Sequence, residues 1–220
     1  MHKSVHNLIQ IEKEIQSNII NLDTTTKSPK IIAVSKTHPI ASILPLINHG
    51  HLDFGENKVQ EAIDKWGDIK NKKNTIKLHL IGRLQTNKVK FALKIFDYIH
   101  SLDSEKLANK ISDEQIKQGK KPKIFIQVNI GNEDQKSGIN KEKLDDFYRF
   151  CKNLKLDIIG TMCIPPNNGN TEKFFFEMSK VNQKLNFKEL SMGMSGDYLE
   201  AIKNSATYVR VGSKIFGSRA

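Results

Sequence analysis

"IIAVSKTHPI" (residues 31–40) sets the reading of this chain: four small or β-branched apolar residues, Ile31 to Val34, then at once Ser35 and Lys36. An unbroken apolar run of this length is the mark of a strand buried on both faces, as in a parallel sheet. A lysine at the exit of such a strand needs a reason, because an ammonium is costly to bring beside a core without a partner or a task.

The pattern repeats along the chain. Short apolar runs recur at "KIIAVS" (30–35), "LDFG" (52–55), "KLHLIG" (77–82), "YIHSL" (98–102), "KIFIQVNI" (123–130), "DIIGTM" (157–162), "ELSMGM" (189–194) and "YVRVG" (208–212). Helix-period segments lie between them. Val59, Ala62, Ile63 and Trp66 share one face, as do Leu144, Phe147, Tyr148 and Cys151, which makes Cys151 a core filler. "TEKFFFEMSKVNQKL" is expected to start at an N-cap, Thr171, and to bury Phe174, Met178, Val181 and Leu185. A helix before the first strand carries Val5, Leu8, Ile11, Ile15 and Ile19 along one side. Pro45, in the helix after the first strand, is expected to kink or shorten it.

Strands alternating with helices in this way predict an α/β chain: a single (β/α)8 TIM-type barrel over residues 1–220, with an extra N-terminal helix and lead-in at 1–29. A doubly wound sheet is the alternative, but no GxGxxG turn follows the first strand.

Composition narrows the function classes. No stretch reaches the roughly 20 apolar residues of a membrane span, and the charged start "MHKSVHNLIQIEKEIQ" lacks the apolar region of a signal peptide. Two cysteines make neither a disulfide framework nor a CxxC metal pair, so a reduced, cytoplasmic protein without a bound metal is expected. The net charge of +11 comes from scattered lysines, densest in loop-like "NKKNTIK" and "KQGKKPK". Without aromatic-basic interleaving, it does not point to nucleic acid.

In a barrel the chemistry sits at the C-terminal ends of the strands. Read in order, those ends offer Lys36, Asn57, the segment from His79 to Gly82, Ser101, Asn129, Met162–Cys163, Ser195, and Arg210 with Gly212 and Ser213. Partial burial and a nearby Arg210 would favour the neutral amine of Lys36, a nucleophile able to condense with an aldehyde. "GMSGD" (193–197) and "VRVGSKIFGSR" (209–219) each place a Gly-Ser pair in the loops where barrels commonly bind phosphate. Ser195 is expected to cap the helix "GDYLEAIKN", with backbone N–H groups facing the anion. A lysine opposite a phosphate cup suits a phosphosugar in a Schiff-base aldolase, or pyridoxal 5′-phosphate (PLP). Aldolases of that kind usually keep their lysine on the sixth strand, and "DIIGTM" has none. Arg210, an obligate donor, is placed to reach a pyridine nitrogen.

"AVSKTHP", "FGENKVQEA", "HLIGRLQTNK", "QVNIGNEDQKSGI", "GTMCIPP" and "LSMGMSGDYLEAI…ATYVRVGSKIFGSR" resemble, in order, the motifs of the pyridoxal phosphate homeostasis protein family, a single-domain relative of the alanine racemase N-terminal barrel. The resemblance spans Ile31 to Arg219. It implies that Lys36 carries PLP as an internal aldimine, that Asn57 lies beside the cofactor, and that Arg210 meets the pyridine nitrogen. Ser195, Gly212 and Ser213 would form the phosphate cup, with Met194 lining it. His79 matches a motif but receives no role beyond that of a core histidine. Lys58 stands where some members carry Tyr, and Thr161 where Leu is frequent. The implied function is non-catalytic: PLP buffering and delivery in vitamin B6 metabolism, with PLP-dependent apo-enzymes as partners and a monomer or weak dimer as the state. A weak amino-acid racemase is the alternative. Alanine racemase takes its second base from an added β domain, and this chain, ending about eight residues past its last strand, is expected to carry none.

Overall fold

Each apolar run forms a strand in the computed structural model, which describes residues 1–21, 28–133, 135–166 and 169–217. The strands are β1 (Lys30–Val34), β2 (Asp53–Glu56), β3 (Lys77–Leu80), β4 (Tyr98–Leu102), β5 (Lys123–Gln127), β6 (Asp157–Met162), β7 (Glu189–Met194) and β8 (Tyr208–Val211). Around them lie α1 (Lys3–Asn21), α2 (Ile40–His49), α3 (Val59–Lys72), α4 (Val89–Ile95), α5 (Glu105–Gln118), α6 (Leu144–Asn153), α7 (Thr171–Lys184), α8 (Tyr198–Lys203) and α9 (Ser213–Phe216). Every strand pairs in parallel with its sequence neighbour, and β8 closes on β1 with Ile32 opposite Arg210. The result is a closed (β/α)8 barrel, not a doubly wound sheet. Part of the lead-in (22–27) and the tail (218–220) lie outside the described residues.

Strand alternation sorts the side chains into two cores. The larger lies between strands and helices and includes Trp66, Cys151 and the buried face of α1. A smaller one fills the barrel lumen with Ile32, Tyr98, Phe125, Met162 and Tyr208. The helix α9 after β8 is one turn long, and α1 packs against α2, α8 and α9, where the outer layer would otherwise lack a helix. Asn7 Nδ2 donates to Ile215 O at 2.9 Å, and Lys214 Nζ bonds Glu14 Oε2 at 2.8 Å, tying α1 to the segment after β8. Among the described residues no helix is long and apolar enough to cross a membrane.

Three local expectations need correction. Pro45 does not shorten its helix: α2 runs through it and stops at Gly50, a left-handed cap (φ +99°) whose N–H reaches Leu46 O and Ile47 O. A proline here removes one helical bond, to Ala41 O, in a helix whose buried side, Ile43, Leu46 and Ile47, supplies the stability. Thr171 is the first helical residue of α7, so it is not the N-cap. The face α7 buries is turned by one position, to Phe175, Met178, Ser179 and Asn182, with Phe174, Val181 and Leu185 only partly buried. The cause is polar: Asn182 Oδ1 accepts from Thr161 Oγ1 (2.7 Å) and Thr161 N (3.2 Å), so the helix follows this buried pair rather than the larger apolar stripe.

Gly193, near the end of β7, has φ +89°, and a Cβ there would lie 2.6 Å from the Ala201 Cβ on α8. Gly193→Ala therefore combines strain with overpacking and should cost about 1–3 kcal/mol, read as a lowered urea midpoint at constant m-value.

Candidate functional site

At the C-terminal ends of the strands a cleft of about 280 Å³ opens, lined by Lys36, Asn57, Met194, Ser195, Arg210, Gly212 and Ser213 together with Val34, His38, Ile81, Ile164 and Gly217. Its volume is near the lower end of the roughly 300–1,000 Å³ common for ligand clefts. A larger space of about 510 Å³ lies beside α1 and the strand starts, away from these groups. Several rim candidates stay outside the cleft, the buried His79, Met162 and Cys163 among them. Ser101 is buried within β4, and Asn129 braces its own loop by bonding Glu133 through both side-chain atoms. The hydrophobic walls Ile81 and Ile164 and the ring of His38, stacked on Phe216 at 4.6 Å, carry no sequence signal of their own.

Lys36 is partly buried just past β1, and the chain turns directly after it at Thr37, which has φ +65°. A non-glycine residue in that region must be held by its surroundings. Thr37 N–H donates to Glu61 Oε1 at 2.5 Å, and Thr37 Oγ1 donates to the Lys36 carbonyl at 2.6 Å. Lys65 Nζ binds Glu61 Oε1, Glu56 Oε1 and the Ser35 carbonyl within 3.0 Å. Glu56, fully buried, also accepts from Ser35 Oγ (2.7 Å) and Trp66 Nε1 (3.0 Å). Burial raises the Glu61 pKa, but the bonds from Lys65 and Thr37 outweigh it and hold the carboxyl below its ordinary range. The turn bearing Lys36 thus sits on an ionic scaffold. Past the neighbouring strand β2, a side chain on Gly82 would run into the Asn57 carbonyl, so this glycine lets Asn57 reach the rim.

Ser195 behaves differently from expectation. The N-cap position of α8 falls to Asp197 rather than Ser195, and no side chain among the described residues caps that terminus; the Asp197 carboxylate instead accepts from Met194 N–H at 2.5 Å. Ser195 Oγ turns instead to the neighbouring loop, where it accepts from Gly212 N–H (3.1 Å) and Lys214 N–H (3.4 Å). Both loops after β7 and β8 are joined through that oxygen. A Cβ on Gly212 would sit 3.3 Å from the Val34 Cβ, so the glycine keeps this junction close.

Arg210 is buried, donating from Nη1 to Ser191 Oγ (2.7 Å) and from Nη2 to the Cys163 carbonyl (2.9 Å). Burial pulls its pKa down, opposed by Cys163 and Asp197, yet a guanidinium stays charged. Burial pushes the Cys163 thiol up to about 12, so that sulfur is no nucleophile. Among the described residues no cluster of metal-ligating side chains occurs.

Below the cleft lie His79 and His100, both buried in the lumen, and near the strand starts lies His51. Burial lowers the pKa of all three from an ordinary 6.5, that of His100 furthest, where His79 and Arg210 add to it. Rings that stay neutral in the fold but take a proton when unfolded make stability fall as pH drops below 6.5, until the folded rings titrate. Urea unfolding at pH 7.5 and 5.5 should show the lower midpoint at 5.5, and His100→Phe should narrow that gap.

With this geometry in hand, similarity to known proteins is informative. Residues 12–220 match the alanine racemase N-terminal domain family. A protein of Pasteurella multocida named pyridoxal phosphate homeostasis protein is 34% identical over 97% of this chain and 96% of its own length. The chain belongs to the pyridoxal phosphate homeostasis protein family. Another member, from Aquifex aeolicus, is 36% identical over 86% of this chain and 87% of its own. The structure of PipY from Synechococcus elongatus with PLP bound superposes with a TM-score of 0.80 at 33% identity, covering 92% of this chain and 100% of that one. Within this family the departures are minor in structural terms. Lys58 is an exposed residue preceding α3, and Thr161 is the buried partner of Asn182.

Proposed function

We propose that this chain binds PLP in the cleft, held covalently through Lys36, and serves PLP homeostasis as a carrier rather than as an enzyme. The observation that carries the reading is the convergence, in one small cleft, of a lysine, a buried arginine donor and two serine-bearing loops. PLP supplies an aldehyde that condenses with a primary amine with loss of water, a pyridine nitrogen that accepts a hydrogen bond, and a phosphate dianion. The donor set fits each of these: Lys36 for the aldehyde, Arg210 for the nitrogen, and Ser195, Ser213 and the Ser213 backbone N–H for the phosphate, with Gly212 keeping the two loops close. Asn57 and Met194 line the sides. Relatives with this name, and a PLP-bound one at 33% identity, support the same assignment.

The chain's own groups explain why binding need not be catalysis. Racemisation needs an acid or base on each face of the substrate. Among the described cleft-lining residues the titratable side chains are Lys36, His38 and Arg210. Arg210 is a permanent donor that cannot take a proton, and an obligate donor at the pyridine nitrogen keeps that nitrogen unprotonated, weakening the ring as an electron sink. A second base falls to His38 alone in this set. The cleft opens at the barrel rim, so Lys36 would hold PLP where other amines could compete for it, which suits delivery to apo-enzymes.

A weak amino-acid racemase is the second reading, favoured by the alanine racemase N-terminal domain match. Deuterium exchange at Cα of L-alanine in D2O separates the two. The PLP-loaded protein should exchange no faster than free PLP and should reactivate a PLP-dependent apo-enzyme. Faster exchange that is lost in His38→Ala would establish the racemase.

A further inference from the structure

The lumen beneath the cleft holds polar groups that binding does not touch directly. His79, His100 and Ser191 are each fully buried. Four short contacts join them to both ends of the barrel. His79 Nε2 lies 2.9 Å from Asp53 Oδ1, and His79 Nδ1 lies 3.0 Å from His100 Nε2. His100 Nδ1 is 2.9 Å from Ser191 Oγ, which accepts from Arg210 Nη1 at 2.7 Å. Asp53 opens β2 near the lower mouth, whereas Arg210 lines the cleft above.

Elementary chemistry assigns every hydrogen. The Asp53 carboxylate only accepts, so His79 carries its proton on Nε2 and offers a lone pair at Nδ1. His100 must then donate from Nε2 and accept at Nδ1. Ser191 O–H is the donor to that Nδ1, which leaves its lone pairs for the guanidinium, a group that can only donate. All hydrogens therefore point one way, from the cation of Arg210 to the anion of Asp53. A second proton on His79 would set two donors face to face, and one on His100 would turn the Ser191 hydroxyl away and leave its oxygen accepting from two cations. Packing prevents escape, because the His79 ring stacks on Tyr98 and the His100 ring on Phe125, each at 4.2 Å. Around His79 the charged or titratable groups are Asp53, Asp97, Lys30, His51, His100, Tyr98 and Tyr208; around His100 they are His79, Arg210, Tyr98 and Tyr208.

We infer that Ser191, His100 and His79 are positioning residues: an oriented hydrogen-bond chain, anchored by Asp53, that fixes the Arg210 guanidinium so that its remaining N–H groups aim at the ligand's ring acceptor. The inference rests on the PLP reading and adds what aims the donor. Burying so many polar groups in a lumen is costly unless each is satisfied, and a fully satisfied chain of this kind tolerates one arrangement only.

Nitrogen-15 NMR of the histidine rings in PLP-free protein, paired with PLP titrations, tests it. In the wild type, His79 and His100 should each show one neutral tautomer with the proton on Nε2. Ser191→Ala should shift the ring-nitrogen resonances of both and raise the PLP dissociation constant about tenfold, with loading still at Lys36. Asp53→Ala, at the partly exposed end of the chain, should disturb His79 more than His100 and weaken PLP by a smaller factor. If both variants merely melt earlier, with wild-type tautomers and PLP affinity, the residues are structural filler and the inference is overturned. A wild type that takes up no PLP would sink the cofactor reading, and the ring resonances would then decide the chain alone: mixed tautomers overturn it, single Nε2–H tautomers sustain it.

Discussion

Lys36→Ala should lose the borohydride-fixable adduct with PLP completely while retaining measurable, reversible affinity for it. No other primary amine is among the described groups lining the cleft, so removing this one removes the covalent bond itself, not a share of it. The proposed phosphate contacts would be independent of Lys36, because Ser195 bonds the Gly212 and Lys214 amides without it. The alanine also spares the support beneath it. Glu61 holds Thr37 through its backbone N–H, and Lys65 holds the Ser35 carbonyl, so neither contact needs the Lys36 side chain. Mass spectrometry after reduction reads the adduct, and competition by inorganic phosphate reads the residual site. Wild-type covalent loading in the variant would transfer the role to another lysine.

Replacing Ser195 and Ser213 by alanine should weaken PLP by about 1–3 kcal/mol each, or about 5- to 150-fold, the range for a hydrogen bond to a charged group. The two are not equivalent. Ser195 Oγ already accepts from Gly212 N–H and Lys214 N–H, so its removal also leaves two amides without their acceptor and loosens the joint between the loops. Ser195→Ala should accordingly lower thermal stability in PLP-free protein, with PLP or phosphate restoring it in part. Ser213→Ala should act on affinity with little effect on stability. Because both serines border the same junction, the double variant should fall short of the sum. Unchanged affinity in the double variant would put the phosphate elsewhere.

Much of this was legible before any coordinates, for a physical reason. Parallel barrel strands are apolar along their length and end at one rim, so runs such as "KIIAVS" mark both the strand and the place where Lys36 emerges. Lys36, Asn57, Met194, Ser195, Arg210, Gly212 and Ser213 all border one cleft for that reason. What stayed hidden depends on register and on cross-chain partners. "YIHSL" gives no sign that His100 would meet His79 from β3 and Ser191 from β7, since only strand tilt and barrel closure bring them level. Ser195 followed by a helix reads as a cap, and nothing local says that the N-cap falls two residues later, at Asp197, or that Ser195 Oγ faces the loop after β8. The face of α7 likewise follows Asn182, whose pull on Thr161 is invisible to a count of apolar spacing.

The most direct measurement of the central claim is an absorbance spectrum of the wild-type protein loaded with PLP, before and after borohydride, followed by peptide mass mapping. The expected result is a visible band that reduction abolishes, with the reduced PLP mass on the peptide carrying Lys36 and nowhere else. A protein that takes up no PLP, or carries it on a lysine outside the cleft, would contradict it.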